Sequence, residues 1–239
     1  MIRSHVARPP NDPGQYDDLA RSWWEPYGPL AMLGWIAQAR ARLLPVASRP
    51  GALLVDLGCG GGLLAPYARE LGYCHVGVDL SASALRVARE HGVRVVRGDV
   101  TRLPFADEVA DAVSAGEILE HVPDLPGTVR EACRILRPGG TLVLDTIAAT
   151  RLARLLAVTV AERVPGGAPR GIHDPALFVD RDLLCRECAR GGVALTLRGL
   201  RPSLPGMLRW LARREPRVRM IPTRPTSVLF QGYGVKEVG

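Results

Sequence analysis

Leu53-Leu54-Val55-Asp56-Leu57-Gly58-Cys59-Gly60-Gly61-Gly62 is the stretch whose reading decides the fold. The apolar run 52–55 reads as a buried strand, and 63–71 reads as a helix closed by Gly72. Strand, glycine loop and helix together make a nucleotide-binding turn. Such a loop bends sharply and brings its backbone close to a ligand, which excludes side chains. The dinucleotide fingerprint would place a small residue at 63, where Leu63 stands, and no Gly-Lys-Ser/Thr follows as in a phosphate-binding Walker loop. The remaining alternative is a plain glycine-rich turn in an α/β protein.

The glycines fall at 58, 60 and 62, with Asp56 two residues before the first. Acid-x-Gly-x-Gly-x-Gly resembles motif I of the class I S-adenosylmethionine (SAM)-dependent methyltransferases. SAM has no pyrophosphate, so the helix N-terminus need not hold phosphate. A carboxylate near the loop suits the ammonium and sulfonium of that cofactor.

Later turns agree with this reading. The second strand, 75–79, ends on Asp79, which can accept hydrogen bonds from both ribose hydroxyls. That feature serves NAD and SAM alike. Capping of the next helix, 81–91, is its bland alternative, but Ser81 already fits that cap. The third strand, 93–97, runs into Gly98-Asp99-Val100; in the methyltransferases an acid here takes the adenine amino group, and Leu103-Pro104-Phe105 is a frequent phrase of the family. Strands at 111–115 and 141–145 flank a helix at 126–136. Alternating strands and helices predict an α/β fold, a Rossmann-like doubly wound sheet, mostly parallel, with an antiparallel final strand at 226–235 and a helical lid. Ligands of such sheets sit beyond the carboxyl ends of the strands, where Gly58, Asp79, Asp99 and Glu117 all fall. The cofactor-binding set is Asp56, Gly58, Cys59, Gly60, Gly62, Asp79, Leu80, Asp99, Val100 and Glu117.

Glu117, Glu120 and His121 are spaced i, i+3, i+4, so a helical turn would project them from one face. Three readings stand. The trio binds a divalent cation such as Mg²⁺, which holds an acceptor oxygen as its anion. Or Glu117 neighbours the methionine end of SAM and His121 is the general base. Or the trio is a solvated helix start.

The chain resembles the ubiquinone-biosynthesis O-methyltransferases of the UbiG type. The matching phrases are Leu19-Ala20-Arg21-Ser22-Trp23-Trp24-Glu25-Pro26-Tyr27-Gly28-Pro29, the glycine loop, Glu117-Ile118-Leu119-Glu120-His121-Val122-Pro123, and Gly171-Ile172-His173-Asp174 with Phe178. The resemblance implies SAM, O-methylation of polyprenyl catechols and phenols, a divalent cation at the Glu/Glu/His turn, and peripheral membrane association. It also makes His173 a second base candidate. The chain departs from the family after the tryptophan pair, where an Asn-Pro-x-Arg segment is missing, and after Gly199, where Arg and Pro accumulate. Both regions should touch the acceptor.

Composition sets the remaining bounds. The chain has 239 residues, 47% of them hydrophobic, enough for one full core. Its net charge is +7, but the surplus gathers between Arg198 and Arg224, which argues for one basic face rather than a polyanion binder. A nucleic-acid methyltransferase would also need an Asn/Asp-Pro-Pro-aromatic run after the fourth strand, where Glu117-Ile118-Leu119-Glu120 stands. The five cysteines form no disulfide framework and no signal peptide is recognisable, so a reducing cytoplasm is expected, with no membrane span. The expected layout is one domain: tail and helical lid over 1–45, with Trp23, Trp24 and Trp35 above the site; a SAM-binding core over 46–149; a cap insertion over 150–192; and closing strands with a basic amphipathic segment over 193–239. Within the cap, 150–164 reads as an Arg-edged apolar helix suited to an interface. The expected partners are an apolar aromatic acceptor and a membrane surface, without nucleic acid. Carbon or nitrogen methylation, or a SAM-binding subunit without activity, are the rival functions.

Overall fold

The computed structural model describes residues 11–12, 14–160 and 171–238. The first ten residues of the expected tail, Arg163 and most of the glycine- and proline-rich approach to His173 lie outside these. The described elements, in order, are α1 (Gly14–Asp18), α2 (Ala31–Ala41), β1 (Leu53–Leu57), α3 (Ala65–Glu70), β2 (Cys74–Asp79), α4 (Ala82–Glu90), β3 (Arg94–Arg97) and β4 (Ala110–Gly116). Then follow α5 (Leu125–Ile135), β5 (Leu136–Ile147), α6 (Arg151–Ala153), α7 (Arg181–Arg190), β6 (Thr196–Pro202), α8 (Leu204–Leu211), β7 (Met220–Thr223) and β8 (Leu229–Val235).

All eight strands join one sheet in the order β3-β2-β1-β4-β5-β8-β6-β7. The first five are parallel; β8 returns antiparallel between β5 and β6, and β6 pairs antiparallel with β7. The expected Rossmann-like sheet is present, and its antiparallel part is three strands wide rather than one. Both faces are covered, so the central strands are apolar without a polar alternate. Leu54, Ala112 and Val143 face a cluster with Ala41, Leu44, Leu64 and Ala68 from α2, α3 and their flanks. Val55, Val113, Leu142 and Leu144 face the opposite cluster, with Val129 and Cys133 of α5 and Leu184 and Cys188 of α7.

The helix starts follow local chemistry. Ser81, Asp124 and Asp180 accept backbone N–H bonds at the heads of α4, α5 and α7. Three expectations change. The sequence from Gly34 to Leu44 reads as a helix feeding the first strand, but the helix begins earlier, at Ala31, because burial of Ala31, Trp35 and Ile36 overrides Gly34. The helix read over 150–164 is α-helical only at α6 and continues as a π-helix over Arg154–Val160; its end lies outside the described residues. The basic segment is a short helix, α8, and a strand, β7. Trp210 leaves the supposed amphipathic surface to pack edge-on against Trp35, ring centroids 5.1 Å apart. Among the described residues, no helix is long and apolar enough to cross a membrane.

Candidate active site

The turn after β1 explains its glycines individually. Gly58, Gly60 and Gly62 all have positive φ, at 64°, 50° and 78°. A Cβ at Gly58 would lie 2.6 Å from Ile118, and one at Gly60 2.3 Å from Trp23. Gly62 is different: its neighbours are Ala88 of α4 and Val93, and it does not line the cavity. Close packing against α4 is enough to require a glycine there. Cys59 does line the cavity, but its thiol turns inward against Gly77, where it is also a packing group.

A cavity of about 960 Å³ opens over this turn. Asp56, Gly58, Gly60, Asp79, Leu80, Asp99, Val100, Glu117, His121 and His173 line it. The predicted strand ends therefore do converge. Asp79 accepts from Gly60 N–H at 2.9 Å and from Ser81 N–H at 2.8 Å, so it braces the loop through one oxygen and the head of α4 through the other. Each oxygen keeps a lone pair for a ligand hydroxyl. Asp99 accepts from the N–H and the hydroxyl of Thr101, both through the same oxygen, Oδ1.

Residues 11–12 and 14–29 form a strap across the loop. Trp23 is buried on Gly60 and Gly61, and Trp24 Nε1 donates to the Gly61 carbonyl at 2.9 Å while its ring stacks on His91. Asp17 accepts from Ser81 Oγ. Trp35 lies apart from Trp23 and Trp24, in an apolar cluster with Trp210, and lines the cavity from there.

The floor carries charges that the sequence reading missed. Arg40 of α2 is buried, with its guanidinium on Asp145 of β5, and it lines the cavity beside Gly116. Burial alone would disfavour its charge, but Asp145, then Asp56 and Glu117, outweigh that and keep it protonated. Burial likewise works against the Asp56 charge, while His75 at 3.3 Å and then Arg40 hold its carboxyl below the ordinary range. The sequence signal for Arg40 was a lone cation within the apolar helix run 35–41.

The acidic turn is not the α-helical face its spacing suggested. Glu117 has φ of 51°, and Leu119–His121 is a 3-10 turn. The group whose ligand atoms lie within 4.8 Å of one another is Glu120, His121 and His173, and Glu117 falls outside it. Glu120 accepts from Thr146 at 2.7 Å through Oε2, while its Oε1 is buried without a partner, as are Glu117 Oε1 and His173 Nδ1. Burial pushes the Glu120 carboxyl up to about 7. Burial, then Glu120 and Asp145, push Glu117 well above the carboxylate range. His121 is lowered to about 3 by burial and by His173, and His173 to about 4 by burial. His121 Nε2 meets the Tyr16 hydroxyl at 3.2 Å, and its Nδ1 meets Asn11 Oδ1. The sequence reading missed both partners, since no motif marks them.

The donor set suits a divalent cation: one carboxylate and two imidazoles, with two unpartnered buried donor atoms. In this cluster His173 stands where the expected trio had Glu117.

The fold and this cavity define a SAM-dependent methyltransferase. A family model described as a methyltransferase domain matches residues 55–144. A ubiquinone biosynthesis O-methyltransferase of a Methylobacterium species is 36% identical, over 89% of this chain and 94% of its own length. One from Ralstonia nicotianae is also 36% identical, over 96% of each chain. The protein belongs to the ubiquinone-biosynthesis O-methyltransferase family. A crystal structure of a SAM-dependent methyltransferase from Thermotoga maritima shares the fold at 20% identity, with a TM-score of 0.64 over 93% of this chain and 97% of that one.

Proposed function

We propose that the acceptor is an apolar phenol or catechol of the quinone-precursor type, methylated on a ring hydroxyl. One observation carries this reading. The cavity that holds Asp79 and Asp99 at one end passes His121 and continues between α2 and α8, walled by Met32, Trp35, Met207, Trp210 and Leu200. A cofactor at the glycine loop and an apolar tail between the helices would place an acceptor ring beside His121. Arg40 and Asp56 then meet the carboxylate and ammonium of the methionine portion.

In the transfer, the acceptor oxygen forms a bond to the methyl carbon as the carbon–sulfur bond breaks. The electron pair stays on sulfur, leaving S-adenosylhomocysteine. Alignment and exclusion of water supply most of the acceleration, since the sulfonium is already a good leaving group. The hydroxyl proton passes to His121 Nε2. An imidazole at about 3 is a weak base by itself. Glu120, within 4.8 Å and near 7, supplies the negative charge that supports the imidazolium once it ionises. Alternatively, with His121 serving as a ligand rather than as the base, Glu120, His121 and His173 would hold a divalent cation, which would supply Lewis acidity to the acceptor oxygen. On α8, Leu204, Leu208 and Leu211 are 69%, 68% and 48% exposed beside Arg209, Arg213 and Arg214. This face suits an anionic membrane surface from which an apolar acceptor is drawn.

The test is mass-spectrometric detection of methyl transfer from SAM to short-chain prenylated catechols and phenols, with and without EDTA. Product that EDTA abolishes assigns the cation; product that survives EDTA assigns the proton transfer to an imidazole, which His121→Ala and His173→Ala then separate. Absence of product on every hydroxyl acceptor, with S-adenosylhomocysteine still bound, overturns the acceptor class.

A further inference from the structure

The strap grips His121 by both ring nitrogens and by its backbone. Asn11 Nδ2 donates to the His121 carbonyl at 3.0 Å, which fixes the amide so that Oδ1 faces the ring. An amide oxygen only accepts, so Nδ1 carries the imidazole proton and Nε2 presents the lone pair. The Tyr16 hydroxyl stands 3.2 Å from Nε2 and therefore donates to it. The Tyr16 ring is edge-on to His121 and stacks on Trp23, which itself lies on the glycine loop. A neutral phenol of the protein thus sits inside the cavity, between the cofactor turn and the imidazole, giving its hydrogen to Nε2.

We propose that Asn11 is the positioning residue that keeps His121 Nε2 open as the acceptor-facing atom, and that the Tyr16 phenol holds the seat of the acceptor hydroxyl until a phenolic acceptor replaces it. This rests on the reading that His121 meets the acceptor oxygen.

The exchange is phenol for phenol at one nitrogen. The incoming hydroxyl remakes the bond to Nε2 that Tyr16 gives up, so the imidazole stays satisfied while the freed Tyr16 hydroxyl turns to solvent. An acceptor lacking an acidic hydroxyl recovers less of that bond and is disfavoured, so Tyr16 sets a preference for phenols and catechols over aliphatic alcohols. The cost falls on acceptor affinity, because only the fraction of protein with Tyr16 withdrawn is ready to bind. Asn11 acts earlier in the chain of causes. Without it the imidazole can turn or change tautomer and present an N–H to the cavity, where an acceptor hydroxyl would find no acceptor.

The experiment uses the full chain loaded with S-adenosylhomocysteine, whose calorimetric binding first verifies that each variant folds. Nitrogen-15 NMR of the labelled imidazoles reads the tautomer of His121 directly. Wild type should show the Nδ1–H form; Asn11→Ala should lose that preference, and Asn11→Asp, which keeps an oxygen at Nδ1, should restore it. Titration with catechol should show Tyr16→Phe binding about fivefold tighter, the order expected when one competing hydrogen bond is removed. An unchanged His121 tautomer in Asn11→Ala, or catechol binding to Tyr16→Phe that is equal or weaker, overturns the proposal. Neither readout needs turnover, so both hold even if every hydroxyl acceptor tested fails to be methylated.

Discussion

Arg40 and Asp145, 105 residues apart in sequence, form a buried ion pair that joins α2 to the end of β5 beneath the cofactor turn. The Asp145 side chain is fully buried and that of Arg40 is only 8% exposed. A Cβ at Gly116 would overlap the guanidinium, so the glycine at the end of β4 is the groove through which Arg40 reaches the site. Arg40→Met leaves a buried carboxylate without its partner, which costs about 3–5 kcal/mol of folding stability. Urea unfolding should show that loss, and Arg40→Met with Asp145→Asn should recover most of it. If the single and double variants unfold at the same urea concentration, the pair is not what holds α2.

Gly60 and Gly61 both lie under Trp23, but for different reasons. Gly60 needs its positive φ, while Gly61 is outside that region and needs only the space that Trp23 fills. Alanine at Gly61 would clash with the indole at 2.4 Å, an overpacking cost of about 1–3 kcal/mol. Trp23→Ala should therefore rescue S-adenosylhomocysteine binding in Gly61→Ala and not in Gly60→Ala. Equal rescue of both would mean that the backbone conformation at Gly60 is not the constraint.

Glu120 links activity and stability through one ionisation. Its carboxyl is raised to about 7 in the fold from an ordinary value of 4.5, so the folded state holds the proton more tightly. The stability this contributes is present below pH 4.5 and is lost as pH rises through about 7, a change of at most about 3 kcal/mol. In the same window the newly formed carboxylate supports protonated His121, so methyl transfer rises with pH. In EDTA-treated enzyme, Glu120→Gln should flatten both profiles, read by thermal melting and by initial rates. A rate profile that keeps its rise near 7 in Glu120→Gln would assign the ionisation elsewhere.

The parallel half of the sheet was legible because each strand there ends in a local signal: the glycines after β1, Asp79 after β2, Asp99 after β3. Each is a short sequence pattern, glycines at alternate positions or an acid at a strand end, that can be read without knowing what it touches. The Glu117 error came from assuming an α-helical period where positive φ and a 3-10 turn break it. His173 enters the cluster through tertiary packing on the 119–121 turn, and spacing along the chain carries no trace of that. Arg40, Asn11 and Tyr16 were missed for the same reason. The side-chain hydrogen-bond partners that give them their roles lie at least 105 residues away in sequence, so only the folded chain shows those bonds.

Asp79 tests the cofactor half of the site most directly. Its two oxygens receive Gly60 N–H and Ser81 N–H, and burial raises its carboxyl against the pull of those bonds. Asp79→Ala removes a bond to a charged acceptor at the loop, another at α4, and the acceptors for the ribose. Each bond of that kind is worth about 1.5–3 kcal/mol, so S-adenosylhomocysteine affinity should fall on the order of 100-fold or more. Asp79→Asn keeps the shape but turns an NH₂ toward one of the two backbone donors, so it should also lose affinity, with the amide signal of Gly60 or Ser81 shifted in NMR. Calorimetry with S-adenosylhomocysteine and with adenosine separates the two roles. Loss of a contact to the ribose weakens both ligands alike. A loop that has lost its brace weakens S-adenosylhomocysteine more, because its methionine portion rests on the glycine turn. Unchanged binding of both ligands in Asp79→Ala would remove Asp79 from the cofactor site.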